Sequence, residues 1–88
     1  MISVLVTGIG GGGVGEQLIK ALRLSEHKYI IVGTDITAIS KGFNEVDAAY
    51  VVPRADDANY INELLKICKK HNIKALFPGS EPELKIIS

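Results

Sequence analysis

The stretch Thr7-Gly8-Ile9-Gly10-Gly11-Gly12-Gly13-Val14-Gly15-Glu16 decides how the rest of the chain is read. An apolar run, Ile2 to Val6, precedes it, and Val14, Leu18, Ile19 and Leu22 follow at i, i+4, i+5 and i+8. A short run rich in Val, Ile and Leu is a strand pattern, and the second spacing is one face of a helix. The glycines therefore stand where a strand turns into a helix. Without Cβ they admit positive φ and let another group touch bare backbone. A helix N-terminus adds unpaired N–H groups and partial positive charge, which suit a phosphate or carboxylate. Gly10, Gly11, Gly12, Gly13, Val14 and Gly15 thus form a candidate anion- or substrate-binding loop. A tight turn with close helix packing is the alternative use of the same glycines.

Gly8-x-Gly10-x-x-Gly13 and Gly10-x-Gly12-x-x-Gly15 both fit the dinucleotide fingerprint, so its register is open. A second strand pattern, Tyr29–Gly33, leads into Thr34-Asp35, and Asp35 lies twenty residues past Gly15. An acid at that place takes ribose hydroxyls in dinucleotide folds. Asp is equally common as the cap of a following turn.

Further along, the pattern between Ile36 and Asp47 is poor, with a short helical turn or loop over Ser40–Asn44 and Phe43 as a core plug. Ala49–Val52 reads as a third strand, stopped by Pro53. The next helix is the clearest: Asp56 or Asp57 can cap it, and Ile61, Leu64, Leu65 and Cys68 share one face. Lys69, Lys70 and His71 suit its C-terminal dipole, and Asn72 can close it in the left-handed conformation. Ala75–Phe77 is a fourth strand. In Ser80-Glu81-Pro82-Glu83, Ser80 and Glu83 form a capping box and Pro82 fits a first turn, so a last helix begins near Glu81.

Strands alternating with helices specify an α/β domain with a parallel sheet. Right-handed crossovers give a Rossmann-like three-layer sheet of four strands in order 3-2-1-4, with helices on both faces. The order reverses between the first and fourth strands, where ligands bind at the carboxyl ends. The glycine loop and the 78–83 loop converge there, with Asp35 one strand over. Asp35, Ser80, Glu81 and Glu83 therefore join the glycines as candidate site residues.

At 88 residues the chain is one small domain, and its 47% hydrophobic content supports a core. Ten basic residues balance ten acidic ones, which argues against a nucleic-acid partner. No apolar run reaches membrane-span length, and no signal-peptide pattern opens the chain. One cysteine, Cys68, allows no internal disulfide and points to a reducing cytoplasm. The two histidines lack metal-ligand spacing with it.

The glycine loop, the stretch Asp47-Ala48-Ala49-Tyr50-Val51-Val52-Pro53-Arg54 and Pro78-Gly79-Ser80-Glu81-Pro82-Glu83-Leu84 together resemble the N-terminal, pre-ATP-grasp domain of ATP-grasp enzymes. The likeness is greatest to carbamoyl-phosphate synthase large-subunit-like members and spans essentially the whole chain. It implies a ligase that activates a carboxylate as an acyl phosphate, which an amine or ammonia then attacks. It also implies that Gly10–Gly15 and Glu81 or Glu83 face that substrate. ATP and Mg²⁺ would be held mainly by the remaining ATP-grasp domains, or by a second chain of a split enzyme. The family's ATP-binding Lys, Glu and Asn positions have no counterpart in these residues. The resemblance thus implies residues 1–88 as an isolated or split first domain, inactive alone. Two other classes compete: an NAD(P)-binding Rossmann module using Asp35, and a non-catalytic assembly domain.

Overall fold

A computed structural model describes residues 2–10, 14–36, 46–79 and 81–87. The turn expected over 40–44 and the Phe43 plug lie outside these. Along the chain come β1 (Ile2–Val6), α1 (Val14–Leu24), β2 (Tyr29–Asp35), β3 (Ala48–Val51), α2 (Tyr60–His71), β4 (Ala75–Phe77) and α3 (Glu81–Ile87). Among the described residues the four strands form one sheet in the order β3-β2-β1-β4, as expected from the crossover rule. Every pair is parallel: Ile2 to Val6 pair with Tyr29 to Gly33, Val4 to Val6 with Ala75 to Phe77, and Val32 to Asp35 with Ala48 to Val51.

Side chains alternate across the sheet, so each central strand feeds two cores. Val4, Val6 and Ile31 point to one face, where Ile9 and Ile19 of the α1 side bury them with Ala75 and Phe77. Leu5 and Val32 point to the other, under Val52, Tyr60, Leu64 and Ile67, with Leu76 and Ile87 against them. This double burial is why β1 and β2 read as continuous apolar runs.

Three expectations need correction. First, β2 runs two residues past Gly33: Thr34 and Asp35 pair with Tyr50 and Val51. Second, α2 buries Tyr60, Leu64 and Ile67, whereas Ile61 is exposed and Leu65 is 52% exposed. Leu64 is buried as expected and Cys68 packs half-buried against the same core, but the stripe is turned toward Tyr60 and Ile67 and away from Ile61 and Leu65. Third, neither aspartate caps α2. Asn59 holds the cap position without a side-chain bond, because a turn in which Asp57 N–H donates to Arg54 O comes first. Asp57 Oδ1 serves that turn by accepting from Asn59 N–H at 2.8 Å. At the other end Asn72 adopts the expected left-handed conformation, φ 52° and ψ 52°.

Candidate functional site at the carboxyl edge of the sheet

The two loops expected to converge do so. Gly79 N–H donates to Thr7 Oγ1 at 3.2 Å, and Thr7 N–H to Phe77 O at 3.1 Å, tying the end of β1 to the β4 loop. Beside that one side-chain bond, the loops meet backbone on backbone. A Cβ on Gly79 would overlap Thr7 O and stand 2.9 Å from Gly15 Cα. One on Gly15 would stand 2.5 Å from the Gly8 carbonyl oxygen. Gly15 and Gly79 thus serve close packing, the second of the uses open to these glycines. Gly8 has φ 61°, the left-handed region that glycine occupies without strain. Gly11, Gly12 and Gly13 lie outside the described residues, as does Ser80. Gly10 is half-buried and Val14 is exposed at the start of α1.

Beneath Gly8 lies a polar group that sequence reasoning missed. The Tyr60 hydroxyl donates to Glu83 Oε2, and both residues are buried, at 1% and 8% exposure. Glu83 Oε1 is 2.6 Å from the point a Gly8 Cβ would occupy, so the carboxylate lies flat against the loop backbone. Burial raises the Tyr60 phenol well above its ordinary 10.0, and the hydrogen bond and charge of Glu83 push the same way, against a smaller lowering by Thr7. Thr7, the residue after β1, and Thr34, the last but one of β2, are both fully buried. Thr34 O accepts from Ile9 N–H at 3.2 Å, but its buried Oγ1 has no hydrogen-bond partner. The available signal was the position of Tyr60, four residues before Leu64 and seven before Ile67, on the stripe that turned out to be buried.

Asp35 is one strand away from the glycine loop, as expected. Its Oδ1 accepts from the N–H of the next residue, Ile36, at 2.8 Å. Glu81 opens α3.

Other polar features sit elsewhere. Tyr50 OH and His71 Nε2 are 2.6 Å apart, with the rings edge to face and Lys70 Nζ 5.6 Å from the Tyr50 ring. A half-open groove of about 420 Å³ borders the start of β2, lined by Arg23, His27, Lys28, Tyr29 and Asp47 among others. There Asp47 accepts from Arg23 at 3.2 Å and from Ile31 N–H at 2.7 Å, a bridge from α1 to the sheet. Burial raises the Cys68 thiol. Among the described residues no three His, Cys, Asp or Glu side chains come together as a metal site, and no helix is long and apolar enough to cross a membrane.

Comparison with known families finds one model, described as the PylC-like N-terminal domain, that matches residues 4–88. No curated protein is similar enough to the chain to match it.

Proposed function

We propose, from the premise that the chain belongs to the PylC-like N-terminal domain family, a family of pre-ATP-grasp domains, that it forms the substrate side of an ATP-dependent ligase. That ligase joins a carboxylate to an amine or to ammonia, in the manner of carbamoyl-phosphate synthase. The observation that carries the reading is the meeting of the β1 and β4 loops at the reversal of strand order. Ligands of open parallel sheets bind there.

In this reading ATP supplies a phosphoryl group that converts the carboxylate to an acyl phosphate. Attack by the amine then forms the new bond and releases phosphate. ATP and Mg²⁺ are held by further domains or a second chain, in the cytoplasm, and this chain alone turns over no ATP. Its own contribution is binding and orientation. In this reading the glycine loop from Gly10 to Val14 and the N-terminus of α1 offer N–H groups to the anionic group, and Gly15 holds that loop by packing on Gly8. Glu81, at the β4 loop, supplies negative charge for an ammonium.

Equilibrium dialysis of the chain against ATP, NAD, NADP and a panel of amino acids tests this. The expected result is retention of an amino acid, lost in Gly13→Val, where a side chain fills the anion's approach. NAD retention that Asp35→Asn abolishes and Gly13→Val leaves intact would overturn it and make the domain a dinucleotide module. Retention of none of the ligands would favour an assembly domain.

A further inference from the structure

One buried cluster is left unused by the substrate-binding reading: the Tyr60 hydroxyl and the Glu83 carboxylate under Gly8. An exposed glutamate at a helix start is a surface cap. Glu83 is instead 8% exposed, the third residue of α3, and its carboxylate joins α3 to the start of α2 and to the loop after β1. Tyr60, the first residue of α2, donates to one oxygen. The other oxygen is pressed on Gly8, whose φ of 61° and missing Cβ make room for it. Thr7, the residue before Gly8, interacts with Tyr60 and accepts from Gly79 N–H. Gly79 belongs to the loop that leads into α3. A carboxylate so deeply buried costs desolvation unless its oxygens are held by donors, so its place is fixed by its partners.

We propose that Tyr60 and Glu83 are positioning residues for the glycine loop. They clamp Gly8, where that loop leaves β1, to α2 and α3, so the pose of α3 sets the pose of Gly8. Glu83 would then act on a ligand through the loop and not by touching it. The inference rests on the glycine loop being the substrate loop for its meaning, and its test is free of ligand so that the two can fail separately.

The test is amide hydrogen exchange by NMR on the 88-residue chain and on Tyr60→Phe, which keeps the ring and removes the donor. Ile9 N–H, bonded to Thr34 O, and Gly79 N–H, bonded to Thr7 Oγ1, report on the clamped loops. Lys74 N–H, bonded to Ser3 O, and Asp47 N–H, bonded to Ile31 O, are the controls. The expected result is exchange about tenfold faster at Ile9 and Gly79, the scale of one lost bond to a charged group, with Gly8 shifted and the controls unchanged. Glu83→Gln, which retains an acceptor for Tyr60, is expected to recover much of the protection that Glu83→Ala loses. Equal acceleration at all four amides would mean a general loss of stability and would refute the clamp. So would unchanged exchange at Ile9 and Gly79, or failure of both Tyr60→Phe and Glu83→Gln to fold.

Discussion

Gly15→Ala sets two effects against each other. Alanine is favoured over glycine inside a helix by about 0.8–1.0 kcal/mol, and Gly15 is the second residue of α1, so some of that gain applies. Against it stands the new methyl group, 2.5 Å from Gly8 O and 3.0 Å from Gly8 C and Thr7 O. An ordinary C···O approach is about 3.3 Å or more, so roughly 0.8 Å must be absorbed. Every atom struck is backbone, and Gly79 closes the same space, so no side chain can swing away. Overpacking of this kind costs about 1–3 kcal/mol, which outweighs the helix gain. The expected net loss is about 1–2 kcal/mol in ligand-free protein. Urea unfolding followed by circular dichroism reads it directly: with a slope near 1 kcal/mol/M for a domain this small, the midpoint falls by about 1–2 M. A midpoint that stays or rises would refute the packing account. It would return Gly15 to the other use of such residues, bare backbone kept for a ligand, because a glycine reserved for ligand approach leaves the stability of the free protein untouched.

Leu64→Ala should cost about 2–5 kcal/mol, whereas Leu65→Ala, on the exposed sector of α2, should cost well under about 1 kcal/mol; comparable losses in denaturation would mean that both stripes are buried. Tyr60 titrates above its ordinary 10.0 in the fold, so the unfolded chain loses the proton first as pH rises. Stability is therefore intact below about pH 10 and falls above it by up to about 1.4 kcal/mol per pH unit; Tyr60→Phe should flatten that fall in unfolding curves at pH 8, 10 and 11. Thr34→Val keeps the side-chain shape and removes a buried hydroxyl without a partner, so the unfolding temperature should hold or rise; a clear drop would mean that Oγ1 is satisfied in solution.

The sheet was legible because its information is local and repeated. Each strand is a short apolar run, the crossovers from β1 to β2 and from β3 to β4 carry a helix period, and handedness then leaves one strand order. Burial on α2 was not legible in the same way. Ile61, Leu65 and Cys68 repeat as regularly as Tyr60, Leu64 and Ile67, so periodicity placed Leu64 and Cys68 toward the core but could not say whether Ile61 and Leu65 or Tyr60 and Ile67 completed the buried face. Tyrosine is also ambiguous, having an apolar body and a polar tip. At the site, the meeting of the two loops followed from topology alone. The inward turn of Glu83 did not, because its partner Tyr60 is twenty-three residues away and its contact on Gly8 is made to backbone, which no side-chain pattern encodes. The glycine run was ambiguous for a related reason: backbone packed on backbone and backbone offered to an anion both require the same absent Cβ.

The position of β1 bears on how the domain comes into being. Of the four described strands β1 is made before the others, yet it lies inside the sheet, and its second neighbour is β4: Val4 pairs with Ala75, far along the chain. Contacts this far apart in sequence close late and slow folding. On a translating ribosome β1, α1, β2 and β3 can associate first, but the outer edge of β1 stays open until residues 75–77 emerge. Thr7 cannot receive Gly79, nor Gly8 the Glu83 carboxylate, before then. The join of Thr7 and Gly8 to Gly79 and Glu83 is thus among the last to form, and until it does the nascent sheet exposes an unpaired edge of β1 to its neighbours.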